Sequence, residues 1–230
     1  MKKMKSLVAA ITIIAVLFTV GCKKKTDPIP TPIDTAIKDA SGNVYTPITI
    51  GTQVWLKENL RTTKYANGDD IFKESSVNWA TLTAGAYCYY ENLTSNAEAY
   101  GNLYNGFAVT DPRGIAPKGY HVATQADWET LITAQGGFNA AAGRLKEQGP
   151  IHWDTTNSAT NSTGFSALGG GSRRANVVAN YLGLGIDGFW WTTTASNSLL
   201  VGYTFTSSQS VIEVLTFAKT AGLSVRCVKD

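Results

Sequence analysis

Histidine and cysteine are scarce in this chain of 230 residues: there are two histidines, His121 and His152, and three cysteines, Cys22, Cys88 and Cys227. The histidines stand 31 residues apart, which is no metal-ligand spacing. No Gly-x-Ser-x-Gly, His-Glu-x-x-His or P-loop segment occurs, so the common nucleophile elbow, zinc helix and phosphate cradle are missing. Gly169-Gly-Gly171 precedes Ser172-Arg-Arg174 but opens no evident helix, which makes a poor phosphate site. Asp69-Asp70 alone falls short of the about six to eight oxygens that calcium takes. The sequence therefore calls for no metal and no cofactor.

An excess of one charge is also missing. The formal net charge of +3 comes from Lys2, Lys3 and Lys5; without them Lys+Arg falls from 20 to 17 and equals Asp+Glu at 17. From about Lys38 onward there is no basic stripe, so nucleic-acid binding has no electrostatic footing. Charged residues make up 16% and hydrophobic ones 43%, with 22 Gly, 10 Tyr and 6 Trp. That composition suits a loop-rich globular fold with aromatic packing, and it excludes disordered, collagen-like and coiled-coil chains.

Long apolar runs are absent too, and this decides how the N-terminus is read. Ser6 to Val20 is fifteen residues, short of the ~20 that span a bilayer. A positive start, a short apolar stretch and then Gly21-Cys22 reads as a secretory signal over residues 1–21. Gly21-Cys22 resembles the lipobox of bacterial lipoproteins, with Thr19 where Leu is usual. Cleavage before Cys22 leaves its thiol for a diacylglycerol and its amine for a third acyl chain. Acyl burial at ~0.8 kcal/mol per CH2 then anchors the protein without spanning the membrane. Lys23, Lys24 and Lys25 add headgroup attraction on an anionic leaflet. Residues 22–37 are rich in proline (Pro28, Pro30, Pro32), which gives a stiff extended tether. In an oxidising envelope compartment the remaining pair, Cys88 and Cys227, reads as a disulfide, with two buried free thiols as the alternative.

Residues 38–230 show no repeat and no second linker, and are taken as one domain. Val44–Ile50 and Gln53–Leu56 alternate around Gly51-Thr52, a hairpin signal. Ala86–Tyr90 reads as a strand. Ser95 to Glu98 has capping-box spacing, with Ala97, Tyr100 and Tyr104 on one helical face. The strongest helix is Gln125 to Gln135, capped by Thr124 with Asp127 at the box position and ended by Gly136-Gly137. Phe189–Thr193, Val201–Thr206, Val211–Phe217 and Leu223–Val228 read as antiparallel strands. One or two helices beside many short strands and long loops is an α+β class.

Several of these segments resemble the Fibrobacter succinogenes major paralogous domain. They are Asp39–Tyr45, Ile50-Gly-Thr-Gln-Val-Trp-Leu-Lys-Glu-Asn-Leu60, Tyr100-Gly-Asn-Leu-Tyr104, Gly119–Glu129, Gly143-Arg-Leu-Lys-Glu147, Gly188-Phe-Trp-Trp-Thr-Thr193 and Leu223-Ser-Val-Arg-Cys-Val-Lys-Asp230. Gly106, Tyr120 and Ala123 depart from the pattern and thin an aromatic cluster. The resemblance implies a secreted or lipid-anchored protein without an established activity. It also implies a fold similar to C-type-lectin-like domains and the formylglycine-generating enzyme. That enzyme holds copper with a close cysteine pair near the C-terminus; Cys227 fits the position, but no second cysteine lies near it in sequence. The Glu-Pro-Asn and Trp-Asn-Asp loops of calcium-dependent lectins are absent.

Without a catalytic constellation, a binding surface is the remaining reading. His121, just before a helix cap, is read as a buried structural histidine. Trp190 and Trp191 are adjacent in a strand and face opposite sides, so one belongs to the core and the other is free for a ligand. Trp153, Arg173, Arg174 and Tyr181 flank them in the glycine- and asparagine-rich stretch. Aromatic rings stack on sugar faces, and arginine engages carboxylated sugars. The sequence thus points to an outer-membrane lipoprotein acting as a noncatalytic binding or adhesion module for a glycan or surface polymer. The alternatives are an assembly subunit that binds other envelope proteins and a copper-dependent oxidase-like enzyme. Labelled palmitate is expected to enter the wild-type chain and to be absent from Cys22→Ala; equal labelling of both removes the anchor.

Overall fold

The computed structural model describes residues 36–175 and 181–230. The signal segment, Cys22 and the tether up to Thr35 lie outside the described residues. Among the described residues, no helix is long and apolar enough to cross a membrane.

The hairpin predicted around Gly51-Thr52 forms between Pro47–Ile50 and Gln53–Leu56, with Ile50 opposite Gln53. Cys227–Lys229 and Tyr120–Val122 complete a four-stranded sheet on it. Val44–Tyr45 leaves that hairpin and pairs with Ile37–Lys38 instead. A second sheet has nine strands and runs from Ile212–Ala218 through Leu199–Thr206, Asp187–Ser196, Gly170–Arg173, Gly222–Leu223, Leu103–Asn105 and Ala86–Cys88 to Phe72–Lys73, with Tyr181–Leu184 paired to Gly170–Arg173. Among the described residues four α-helices accompany the sheets, so the domain is sheet-rich and compatible with the α+β class.

The predicted helix forms over Gln125–Ala134, and its capping box is complete in both directions between Thr124 and Asp127. Its Trp128 is buried, stacked on Tyr203 with centroids 5.1 Å apart and 5.2 Å from Trp55. The box predicted from Ser95 to Glu98 does not form. The helix spans Thr94–Tyr100, Leu93 caps it without a side-chain bond, and Tyr104 belongs to a strand. Gly101 stops it at φ +86, where a Cβ would meet Asn59 Cβ at 2.7 Å. Only glycine fits that turn and that approach.

The last predicted strand also divides. Gly222–Leu223 lies in the large sheet and Cys227–Lys229 in the small one. The crossing residues Ser224, Val225 and Arg226 are buried, and their main chain makes four bonds to three other segments. Ser224 N–H donates to Phe189 O, Trp191 N–H to Ser224 O, Leu60 N–H to Val225 O and Ala123 N–H to Arg226 O. The C-terminus thereby stitches the two sheets together.

Arg226 carries a guanidinium into the centre of that seam. It is fully buried, and it donates to Asn59 Oδ1 (2.7 Å), Leu56 O (3.0 Å), Phe165 O (2.9 Å) and Ser166 O (2.7 Å). Burial pulls its pKa down to about 9, so it remains a cation at neutral pH, solvated by protein oxygens in place of water.

The expected Cys88–Cys227 disulfide is corrected: both cysteines are free and buried. Cys88 sits opposite Leu103 in a cluster with Trp79 and Tyr90, whereas Cys227 sits opposite Val122 in a cluster with Tyr45 and Trp191. Cysteines packed into different clusters point their thiols into separate surroundings, and a disulfide needs the two side chains to meet. Burial pushes the Cys88 thiol up to about 11 and raises that of Cys227 as well, so both stay protonated.

Replacing Arg226 strands four oxygens in the core. Arg226→Met is expected to lose about 3 kcal/mol or more in urea denaturation. Arg226→Lys keeps the charge but not the fork of donors, and recovers only part of that loss.

Candidate functional site

The residues proposed for ligand binding from the sequence do not form a surface. Trp190 and Trp191 are both 0% exposed, because their strand lies inside the sheet with core packed on each face. Trp190 joins Trp55, Trp128 and Phe205 on one face; Trp191 joins Tyr104 and Leu223 on the other. The alternation was read rightly, but a strand covered on both sides leaves neither indole free. Trp153 is buried with its Nε1 on Ala167 O at 2.9 Å. Arg173 is buried too; it donates to Glu74 O and Ser76 O and lies over the rings of Trp79 and Tyr181. Of the six, only Arg174 is exposed and Tyr181 half-buried.

A different place is concave. A cavity of about 210 Å³ opens where three segments meet: Lys57–Asn59 with Arg61, Glu98–Gly101, and the loop carrying Glu147, His152, Ser166 and Leu168. Asn59 makes its floor and is 2% exposed. Its Nδ2 donates to Tyr100 O (2.7 Å), while its Oδ1 accepts from Trp190 Nε1 (2.9 Å) and Arg226 Nε (2.7 Å). This one amide therefore ties the cavity to the buried seam. On the rim, Glu147 Oε2 lies 2.8 Å from His152 Nδ1, and the imidazole stands edge-on to Tyr100 with centroids 5.1 Å apart. Burial, with the Glu147 charge behind it, raises the Tyr100 phenol, which stays a neutral donor.

Glu147 is itself held by its backbone: its N–H donates to Ala167 O, and its carbonyl accepts from Asn157 Nδ2 at 2.8 Å. A second recess of about 310 Å³ shares Arg61 and Glu98 with the first and adds Asn43, Thr63, Tyr89 and Asn102. The first cavity thus presents two rings, one amide, three carboxylates and two cations. Ser166 Oγ accepts from Asn161 Nδ2 at 2.9 Å. Among the described residues, no group of three or more His, Cys, Asp or Glu could hold a metal ion.

The model of the Fibrobacter succinogenes major domain matches residues 48–229. The chain belongs to that family. Among curated proteins and among solved structures, none matches it. Every residue lining the 210 Å³ cavity lies inside the span matched by the Fibrobacter succinogenes major domain. Three segments that carried the resemblance, Ile50–Leu60, Tyr100–Tyr104 and Gly143–Glu147, supply Lys57, Glu58, Asn59, Tyr100, Gly101 and Glu147 to its walls. Those segments were the available signal for the cavity; without a fold, nothing in their spacing showed that they converge.

Two further titratable groups are structural. Lys146 is 1% exposed and donates to Thr206 O, Ser207 O and Gln209 O, while burial draws its amine down to about 8. His121 was expected to be buried; its side chain is instead 39% exposed, bridging Asp127 at 3.1 Å and Asp230 at 2.9 Å. Partial burial opposes its protonation, but the Asp230 and Asp127 carboxylates outweigh it and raise its pKa. Burial works to raise Asp127, yet the Thr124 hydroxyl and amide and His121 hold it low.

The signs of these shifts set a pH window. A histidine raised in the fold stabilises fully below its unfolded value near ~6.5 and loses that contribution as pH rises through the folded value. A lowered Asp127 stabilises above ~3.9 and loses its contribution at lower pH. The stability gap between wild type and His121→Gln is therefore expected to be widest between about pH 4 and 6.5 and to shrink by pH 8. Solvent screening keeps the gap under about 1 kcal/mol. Urea melts at pH 5 and pH 8 measure it, and an equal gap at both assigns no role to the imidazolium.

Proposed function

We propose that the protein is a lipid-anchored cell-envelope module that binds a glycan without catalysis, and that it does so in the cavity over Asn59. The supporting observation is the lining of that cavity. Tyr100 and His152 offer ring surface, and Glu58, Glu98 and Glu147 offer acceptors for neighbouring hydroxyls. Lys57 and Arg61 offer donors, and the whole rests on a floor locked by three hydrogen bonds of the Asn59 amide, one donated and two accepted. At about 210 Å³ the cavity is smaller than the ~300–1,000 Å³ of typical drug-sized sites, which suits a single sugar unit of a longer polymer. The adjoining recess provides room for the next unit. Carbohydrate binding moves here from the Trp190, Trp191, Trp153 and Arg173 surface read from the sequence.

The noncatalytic reading draws on the same geometry. His152 is oriented by Glu147, and Ser166 lines the cavity with its hydroxyl engaged by Asn161 rather than by an activating base. Cys227 and Cys88 are buried in different clusters, which argues against the copper-dependent alternative. Short strands, few helices and a long loop over the site support a C-type-lectin-like or formylglycine-generating-enzyme-like fold. Gly21-Cys22 and the proline-rich tether support attachment to the outer membrane.

The full chain in detergent micelles is expected to bind a subset of polysaccharides on a glycan array. Tyr100→Ala and Glu147→Gln each weaken that binding about tenfold, the scale of one ring contact or one charged hydrogen bond. Arg174→Ala leaves it unchanged. A blank array, or loss in Arg174→Ala alone, overturns this assignment.

A further inference from the structure

Asn59, the floor of the cavity, has spent its amide within the protein. Its Oδ1 accepts from Trp190 Nε1 and Arg226 Nε, and its Nδ2 donates to Tyr100 O at 2.7 Å and reaches Ser224 Oγ at 3.4 Å. Recognition therefore falls to the walls, where two of the three carboxylates are also engaged. Glu147 Oε2 lies against His152 Nδ1, and Glu58 Oε2 accepts from Thr46 N–H at 2.8 Å. Arg61 and Glu98 stand apart, because they line both this cavity and the adjoining recess and so border the passage between the two. Among the described residues they form no ion pair with each other or with any other side chain.

The main chain of Arg61 is clamped on both sides. Its N–H donates to the Tyr45 hydroxyl at 2.8 Å, and its carbonyl accepts from Asn102 Nδ2 at 3.0 Å. Its half-buried guanidinium is left almost without acceptors. Nη2 comes only to 3.5 Å from Val44 O, at the outer limit of a hydrogen bond, and Nε is buried with no partner. The other arginines behave differently. Arg226 and Arg173 spend their donors on carbonyls, Arg113 grips Asp69 and Asp111, and Arg144 and Arg174 are exposed to water. Partly buried donors that lack an acceptor call for one from outside the chain. A guanidinium fork matches the two coplanar oxygens of a carboxylate better than a single sugar hydroxyl. A phosphate brings more negative charge, which Glu58, Glu98 and Glu147 oppose.

We infer that the glycan is acidic, a chain containing uronic acid units. One carboxylate closes on the Arg61 guanidinium at the passage, while the neighbouring unit lies against Tyr100 and His152 over Asn59. Glu98, across the same passage, accepts from sugar hydroxyls. Arg61 is thus the residue that separates acidic from neutral chains. This rests on the glycan reading of the cavity and names the class of its ligand.

The test is isothermal titration calorimetry of the full chain in detergent micelles. The probes are oligomers of galacturonic, glucuronic and mannuronic acid and their methyl esters, which keep the rings and remove the charge. The wild type is expected to bind an acid oligomer about tenfold more tightly than its ester, the scale of a charge-assisted hydrogen bond. Arg61→Gln binds acid and ester alike, and Arg61→Lys, which keeps the charge but not the fork, restores part of the difference. A merely structural role for Arg61 weakens both ligands together and leaves their ratio intact. Equal binding of acid and ester by the wild type, a ratio that survives Arg61→Gln, preference for a sulfated oligomer, or binding of neutral glycans alone overturns the acidic ligand. Loss of that residual binding in Tyr100→Ala then still upholds the cavity as a glycan site. Absence of binding to every glycan, acidic or neutral, overturns the glycan reading itself.

Discussion

A buried positive charge holds this fold together. Among the described residues no ion pair forms with the Arg226 guanidinium, though the Glu58 charge supports it from a distance; Asn59 Oδ1 and the carbonyls of Leu56, Phe165 and Ser166 solvate it. Desolvating a guanidinium is costly, and the cost is offset only if every donor direction meets an oxygen. The oxygens must therefore be brought from the hairpin sheet, from the long loop and from Asn59 at the same time. Once they are, the small sheet, the loop before Gly169 and the C-terminal crossing have little freedom to move separately. Asn59 extends the constraint, since its remaining groups take Trp190 Nε1 and Tyr100 O.

The cavity inherits its rigidity from this node. Its floor is the same Asn59, and its walls are the segments that Asn59 and Arg226 pin: Tyr100 at the end of its helix and Ser166 beside the Arg226 fork. Gly101 lets the helix end against Asn59 without a Cβ in the way. A ligand meeting Glu147, His152 and Tyr100 thus meets groups already oriented, which reduces the ordering cost of binding. The outer strand Ile212–Ala218 stands in contrast. It pairs with Leu199–Thr206 on one side and meets Phe138 O through Ile212 N–H on the other, while its Val214 and Leu215 are exposed.

Much of the fold was legible where local chemistry decides structure. Thr124 and Asp127 announced a helix because a capping box needs only neighbours in sequence, and Gly136-Gly137 announced its end. The Gly51-Thr52 turn was readable for the same reason. The box at Ser95 misled because the chain entered the helix two residues earlier, at Thr94, with Leu93 as its cap. The single strand expected over Leu223–Val228 misled because an apolar run carries no mark of where it leaves one sheet and joins another. Segments matching the Fibrobacter succinogenes major domain were visible as motifs, but Asn59, Trp190 and Arg226 lie far apart in sequence, and nothing local says that they meet.

What the sequence determined by itself was therefore its periodicities, its caps and turns and its family, all carried by neighbouring residues. Only the tertiary structure decided which aromatics are buried, that Cys88 and Cys227 lie in separate clusters, and that the concave site sits over Asn59 instead of around Trp190 and Trp191. The physical reason is that burial belongs to a surface and not to a residue. Trp191 alternates as an outward-facing side chain should, but a second layer of core covers that face too, and its indole N–H ends on Tyr104 O at 2.7 Å.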